Sequence, residues 1–305
     1  MTTPTRGRVL ITDIAWPDAS VESAVLEAAG FSVEPAPAGD ERTLVAAARD
    51  ADAILTCFAP VTERVIRAAP RLRVVARMGA GLDNIDTAVC AELGIEVTRV
   101  PDYCVDEVAT HSLAMAFALW RRLPQYDAVL RAGGWGTDPL TLPVRRMAGA
   151  RVAVLGRGRI GREVGRRWAA LGHEVTDTTE GADIVSVHLP LTDRTRGCVD
   201  AGALAATRPG AVLVNTGRGQ VVDTGAVVAA LESGRLSGAA MDVFETEPLP
   251  ADSPLRGRND VILTPHMAFY SEEALTELRS RAAQSVVDHF DRVPGAAGTP
   301  RKGTP

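Results

Sequence analysis

Residues 152–161 read Val152-Ala-Val-Leu-Gly156-Arg-Gly158-Arg-Ile-Gly161. A short apolar run feeds a G-x-G-x-x-G turn, and an amphipathic stretch, Arg162–Leu171, follows it. A strand, a glycine turn and a helix in that order are the context a dinucleotide-binding turn requires. Gly156 permits the tight turn, Gly158 lets a pyrophosphate approach the backbone, and Gly161 lets helix and strand pack closely. The helix N-terminus adds unpaired N–H groups and partial positive charge, to which Arg159 and the backbone of Ile160 belong.

Outward from this turn, the chain shows a β-α alternation that predicts a parallel sheet. The predicted strands are 152–155, 184–188, 211–215, 239–243 and 261–263, with helices over 158–171, 200–206, 222–232 and 271–290. Ser271 is a good N-cap, with Glu272 and Glu273 in the first turn. An earlier series reads the same way, with strands at 9–12, 53–56, 74–76 and 96–100, and a long helix from about Asp106 to Arg122. The fold class is therefore α/β, with two Rossmann- or flavodoxin-like parallel-sheet domains and a cleft between them. Residues 1–100 plus 270–293 make a substrate or catalytic domain, and 101–269 a nucleotide-binding domain. The Gly/Pro/Thr-rich tail 294–305 reads as disordered.

The nucleotide half has a missing piece. A complete half runs β-α-β-α-β, but Ile184 opens a strand only seven residues after Asp177. The intervening strand can only be His173–Asp177, which has one apolar member and so reads as an edge strand. Returning one strand length (about 17 Å) and crossing two strand spacings (about 10 Å) needs about 20 Å. Six Cα steps from Asp177 to Asp183 span at most about 20 Å. Either the link is fully stretched, or the 174–176 strand is short. Both options reshape the adenosine side and predict weak dinucleotide binding. Asp177 stands 21 residues after Gly156, near the place of a ribose-binding acid, which favours NAD over NADP.

Composition narrows the chemistry. The 305 residues are 46% hydrophobic and 23% charged with net charge −5, ordinary for a globular protein and without bulk attraction for nucleic acid or anionic membrane. Lys302, in the tail, is the sole lysine. Schiff-base and P-loop chemistry, which need a placed lysine, are set aside. Cys57, Cys90, Cys104 and Cys198 are widely spaced and predict neither a disulfide framework nor a zinc site. The N-terminal residues lack an apolar signal core, and the run Leu113–Trp120 is too short to cross a bilayer. A cytoplasmic protein without a metal is expected.

Three segments, each following a predicted strand, carry the chemical groups: Val214–Asp223, Ala240–Pro248 and Leu263–Ser271. Strand ends are where open α/β sheets place ligands. Together they offer the guanidinium of Arg218, the carboxylate of Glu247 and the imidazole of His266. A guanidinium can grip a substrate carboxylate bidentately. An imidazolium can give a proton, and a neighbouring carboxylate favours its protonated form. Bland readings stand beside this one. His266 can be a helix-entry histidine satisfied locally, Arg218 can pair with Asp223, and Glu247 can be a turn residue before Pro248. Arginines 157, 159, 162, 166 and 167 read as a solvated helix face rather than a phosphate stripe, with Arg159 alone a pyrophosphate candidate. His111, on a helix, reads as structural.

In order and spacing these segments, with Arg77-Met-Gly79-Ala80-Gly81-Leu-Asp-Asn-Ile-Asp86 and Val187-His188-Leu-Pro190-Leu-Thr192, resemble the D-isomer-specific 2-hydroxyacid dehydrogenases over nearly the whole chain. Val100–Ala109 and His266–Ala274 further resemble that family's C-terminal-binding-protein-like subgroup. The resemblance implies NAD-dependent interconversion of a 2-oxo acid and a D-2-hydroxy acid, with Arg218, Glu247 and His266 catalytic. Glu247, not Glu245, matches the family's glutamate before proline. The resemblance also implies a dinucleotide held by Gly156, Gly158, Arg159, Ile160, Gly161, Asp177, His188, Pro190, Thr216 and Gly217, with Asp242 facing the nicotinamide amide. A small carboxylate substrate would meet Gly79, Ala80, Gly81, Tyr103 and Phe269. Relatives are commonly dimers through the helical region after residue 100. The alternatives are a cofactor-poor binding or regulatory module, and a non-redox acid/base enzyme acting on a carboxylate.

Overall fold

The computed structural model describes residues 6–135 and 144–293, so the expectation for the tail 294–305 lies outside the described residues. In chain order the first elements are β1 (Arg8–Ile11), α1 (Ser20–Ala28), β2 (Ser32–Pro35), α2 (Glu41–Ala47), β3 (Ala53–Thr56), α3 (Glu63–Arg67), β4 (Val74–Arg77), α4 (Thr87–Glu92), β5 (Glu96–Arg99), α5 (Val105–Trp120) and α6 (Leu123–Arg131). Then come β6 (Arg151–Leu155), α7 (Arg159–Ala170), β7 (Glu174–Thr176), β8 (Ile184–Val187), α8 (Ala201–Ala205), β9 (Ala211–Asn215), α9 (Thr224–Glu232), β10 (Leu236–Met241), β11 (Val261–Leu263) and α10 (Glu272–Arg292). Two compact units result, divided between Tyr103 and Cys104 and again between Tyr270 and Ser271.

The first unit is a five-stranded parallel sheet in the order β2-β1-β3-β4-β5. Its central strands are apolar on both faces, as parallel strands covered by helices must be. Val9, Ile11, Leu55 and Val74 face one way, into a core shared with Leu278, Val286 and Phe290 of α10. Leu10, Ile54 and Val75 face the other, against Leu44, Val65 and Val89 of α2, α3 and α4. Each fully buried side chain of this size stabilises the fold by about 1.5–3 kcal/mol.

The second unit is a six-stranded parallel sheet in the order β11-β10-β9-β8-β6-β7. Val152, Val154, Ile184 and Val214 pack with α5 and α7 around Trp168. Ala153, Val185, Leu213 and Met241 pack on the opposite face with Leu204 of α8 and Val227 of α9.

One strand bound is corrected, two elements went unread, and one open alternative is decided. The strand predicted at 239–243 begins earlier, at Leu236, through an irregular register between Leu236 and Gly238. Strand β2 and helix α6 had no sequence signal strong enough to mark them. The link to β8 takes the second of the two routes open to it. Strand β7 is only three residues long and pairs with Arg151–Ala153 alone, at the start of β6. The return is then about 10 Å rather than 17 Å, and two strand spacings add about 10 Å sideways, so about 14 Å is needed. The surplus length forms a turn, with Ala182 N–H donating to the Thr179 carbonyl at 3.0 Å. The link is tied down where Asp183 N–H meets the Arg151 carbonyl at 2.8 Å and Gly181 N–H meets the Ala206 carbonyl at 2.9 Å.

Candidate functional site

The glycine turn joins β6 to α7, and each of its glycines has a different reason to be there. At Gly156, with φ +110°, a Cβ would lie 2.6 Å from the His188 carbonyl oxygen, so the turn is pressed against the end of β8. At Gly161 a Cβ would lie 1.9 Å from the Gly156 carbonyl oxygen, so the first turn of α7 is pressed against the turn itself. At Gly158 a Cβ would meet nothing within 4 Å. The outer two glycines are demanded by packing, and the middle one leaves open space over the backbone. Helix α7 starts there with no side-chain cap and no acidic residue in its first turn. Its N-terminal N–H groups and positive dipole end suit an anion. The cradle fits a dinucleotide pyrophosphate. Arg159 is exposed beside it, whereas the Ile160 side chain packs into the core and leaves only its backbone to a ligand.

His188, Thr216 and Gly217 follow β8 and β9. His188 Nε2 pairs with Ser186 Oγ at 2.8 Å, and Nδ1 lies 3.5 Å from Thr216 Oγ1. Thr216 Oγ1 also bonds Ser112 Oγ of α5 at 2.8 Å. Burial pushes the His188 pKa down to about 4, so this ring is neutral and structural. The Pro190 carbonyl accepts from Thr195 Oγ1 at 2.6 Å. Asp177, just past β7, is ion-paired with Arg157 of the glycine turn. Its carboxylate is thus engaged by a guanidinium, which the sequence reading did not foresee.

The three chemical groups lie on adjacent strand ends. After β9, the fully buried Asn215 binds the chain back on itself. Its amide donates to the Arg218 carbonyl and its oxygen accepts from Gly217 N–H, both at 3.0 Å. Such an Asx-type turn fixes where Arg218 leaves the sheet. Gly219 follows, where a Cβ would lie 1.9 Å from the Phe244 carbonyl carbon. Arg218 Nη1 donates to the Gly217 carbonyl at 2.8 Å. Asp223 caps α9 by accepting from Ala226 N–H at 3.0 Å, so it serves the helix.

After β10, Glu247 is held by both oxygens. Oε1 accepts from Phe244 N–H at 2.9 Å, and Oε2 meets His266 Nδ1 at 2.8 Å. Burial alone would raise its pKa, but the bond and charge of His266, the Phe244 N–H and the charge of Arg218 together hold it below the usual range. Glu247 is therefore ionised around neutral pH. Glu245 is used elsewhere, accepting from Thr224 N–H at the start of α9 at 2.9 Å.

His266 itself sits in the left-handed region, φ +55°, which is strained for a side-chain-bearing residue. The loop holding it is clamped by Asp242, 1% exposed. That carboxylate accepts from Thr264 Oγ1 at 2.5 Å, Met267 N–H at 2.9 Å and Ala268 N–H at 2.9 Å. The Asp242 carbonyl accepts from His266 N–H at 2.8 Å. His111 of α5 adds a second layer, with Nε2 at 3.2 Å from Thr264 Oγ1. Sequence reasoning singled out Asp242 for a ligand and His111 for structure; the structure makes both of them supports of the His266 loop. With Nδ1 directed at a carboxylate, Nε2 is the ring nitrogen suited to exchanging a proton with a ligand.

The other predicted substrate residues are spread over both units. Gly79 N–H donates to the Arg77 carbonyl at 2.9 Å, and the Gly79 carbonyl accepts from Val100 N–H at 3.0 Å. Gly79 is therefore spent on the turn after β4. Tyr103 packs against the first unit's core, and Phe269, in the second unit, is half-buried. Among the described residues no cluster of three or more His, Cys, Asp or Glu could hold a metal, and no helix is long and apolar enough to cross a membrane.

The sequence pattern of the D-isomer specific 2-hydroxyacid dehydrogenase NAD-binding domain matches residues 113–180 and 173–268. The two stretches overlap over 173–180, which takes in β7 and the start of the short link after it. The glyoxylate reductase of Aeropyrum pernix is 36% identical over 276 residues, covering 80% of this chain and 82% of that one. The chain belongs to the D-isomer-specific 2-hydroxyacid dehydrogenase family. Another family member, the D-3-phosphoglycerate dehydrogenase of Mycobacterium leprae, is 38% identical, and this chain spans about half its length (51%). Among solved structures, the D-lactate dehydrogenase of Aquifex aeolicus with NAD and lactic acid has a TM-score of 0.83 at 25% identity, covering 94% of this chain and 98% of that one. The NADPH-dependent glyoxylate/hydroxypyruvate reductase of Sinorhizobium meliloti, with NADP and malonate, has a TM-score of 0.82 at 30% identity, covering 99% and 98%. These relatives support the family and do not reach to the subgroup. Neither the binding-module nor the non-redox alternative is favoured by them.

Proposed function

We propose that this family member interconverts a 2-oxo acid and a D-2-hydroxy acid, with NAD as the preferred cofactor. The observation that carries this is the His266–Glu247 bond, made on the strand ends next to Arg218. Bound nicotinamide dinucleotide supplies or removes the hydride at the substrate's C2. Arg218 grips the substrate carboxylate and polarises the neighbouring carbonyl. His266 gives the proton to the carbonyl oxygen during reduction and takes it from the hydroxyl during oxidation. Glu247 orients the ring through Nδ1 and stabilises its charged form. The backbone of Ala80 and Gly81, with Gly79, Tyr103 and Phe269, is assigned to the substrate.

For the cofactor, Gly156, Gly158, Gly161, Arg159 and Ile160 N–H hold the pyrophosphate. Asp177 takes the ribose, and His188, Pro190, Thr216 and Gly217 line the nicotinamide side. Asp242 acts toward the nicotinamide through the loop it holds. The unit from residues 101 to 269 is then the nucleotide-binding domain, and 1–100 with 270–293 the substrate domain. Because the link after β7 is short, we place NADH affinity in the micromolar range. A homodimer in a reducing cytoplasm fits the four free cysteines and the exposed apolar Leu123, Leu130 and Trp135 after α5.

The test is His266→Ala, assayed by NADH absorbance against a panel of 2-oxo acids. Turnover should fall about 10²–10⁴-fold, the worth of a positioned acid/base group, while calorimetry shows NADH still binding. Turnover equal to the parent protein would overturn the assignment.

A further inference from the structure

The second position of the glycine turn holds an arginine, and the end of β7 holds an aspartate. They meet: Arg157 Nη2 is ion-paired with Asp177 Oδ2. In nucleotide folds of this kind, an acid at the end of the second strand hydrogen-bonds the ribose 2′-hydroxyl, whereas an arginine nearby accommodates a 2′-phosphate. This chain carries both, in contact. We propose that Arg157 and Asp177 together form a two-way reader of the ribose 2′ position, so that the protein prefers NAD only narrowly and also accepts the 2′-phosphorylated dinucleotide. This rests on the dinucleotide reading of the glycine turn and specifies it further.

The charges argue for it. A 2′-phosphate carries about −1.5 to −2 at neutral pH. Facing Asp177 alone it would be repelled. Facing Asp177 with Arg157 it meets a pair with no net charge and five N–H donors on a fork that matches phosphate. The pair is easily opened, because its side chains are 78% and 52% exposed and such ion pairs are weak. Arg157 can then leave a single carboxylate for a more highly charged phosphate, with which the bond is stronger.

The backbone argues for it too. Arg157 lies between Gly156 and Gly158, and Arg162 Nη1 bonds its carbonyl at 3.0 Å, so the base of its side chain is set by the turn rather than by Asp177. The neighbouring arginines are otherwise occupied or assigned. Arg166 and Arg167 are paired with Glu163, and Arg167 also with Asp106. Arg159 belongs to the pyrophosphate cradle. After Asp177 the chain turns within seven residues into β8, so the helix that would wall in the ribose in a complete half is not there, and a phosphate has room.

Isothermal titration of the full chain with NADH and with NADPH, without substrate, tests this independently of turnover. The two dissociation constants should lie within about tenfold of each other, because one exposed charged contact is worth no more than that. Arg157→Leu should raise the NADPH/NADH ratio of dissociation constants several-fold, up to about tenfold, Arg157→Lys should raise it less, and Asp177→Asn should lower it. NADPH binding should also weaken more steeply with added salt. If NADH binds while NADPH is more than a hundredfold weaker, and Arg157→Leu leaves the ratio where it was, the two-way reader is wrong but the dehydrogenase reading stands. If neither nucleotide binds, both fail. Circular dichroism of each variant separates a lost contact from a lost fold, and the lysine variant carries the test if the leucine variant does not fold.

Discussion

Across the sheet of the second unit, the strands from β8 to β11 and the pair β6–β7 are finished in opposite ways. At the first end, side chains at the strand termini are bound several times over: Asn215 to Gly217 and Arg218, Asp242 to three donors, Glu247 to a backbone N–H and an imidazole. At the other end the outermost strand has three residues, Val175 and Leu171 are exposed, and the salient side-chain contact is a solvent-exposed ion pair. The difference separates two demands on one ligand-binding sheet. Proton and hydride transfer need groups placed to within a fraction of an ångström, which side chains bonded at several points supply. Holding the far end of a cofactor needs only affinity, which can be reduced without moving the chemistry.

If that division is right, damage at the bound end should be costly. After His266→Ala, the largest effect is expected from Glu247→Gln, which keeps the shape and removes the charge. Reductive kcat/KM should fall about 10²-fold, within the usual worth of acid/base support. The loss should fall on kcat rather than on KM, because the His266 ring loses the carboxylate that orients it through Nδ1. An unchanged kcat would make Glu247 a mere spacer. A smaller effect is expected from Asp242→Asn. The new amide cannot accept from every N–H that the carboxylate holds, so at least one buried donor is stranded at a cost of about 1–3 kcal/mol. Urea unfolding should show that loss, with kcat reduced as the His266 loop loosens.

The smallest effect is a pH dependence of stability from His188. Its folded pKa, about 4, lies below its ordinary value of 6.5, so the unfolded chain binds more protons between those values. Stability is therefore complete above about pH 7 and falls as pH drops, by about 2 kcal/mol between pH 7 and pH 5. His188→Gln should flatten that slope in denaturant titrations. A slope unchanged by the substitution would place its origin elsewhere in the molecule.

The central strands of both sheets were legible because parallel strands covered on both faces must be runs of Val, Ile, Leu and Ala, and 53–56 and 211–215 were read to the residue, as was the apolar edge strand 261–263. Strand β2 and helix α6 were not. Strand β2, Ser-Val-Glu-Pro, has no buried residue, and its pattern is set by its neighbour β1. Helix α6 likewise buries nothing and follows Arg122 in a left-handed turn, φ 54°. The short link after β7 could be deduced from chain length alone, but which route it takes depends on how far β7 pairs, a tertiary fact. The chemical groups Arg218, Glu247 and His266 were visible by type and order. The supports were not: Asp242 binds backbone N–H groups 25 and 26 residues away, and no side-chain pattern encodes that.

The abbreviated β7 also sets where the unit begins to come apart. Only Arg151, Val152 and Ala153 of β6 have a partner on that side, so Val154 and Leu155, which lead directly into the glycine turn, lie beyond its last rung. Amide protection should therefore fall off from β9 toward β7, with the sheet opening from this margin inward. A cofactor settling on the glycine turn lands on the least protected part of the unit, so its arrival there also closes the sheet's loosest seam.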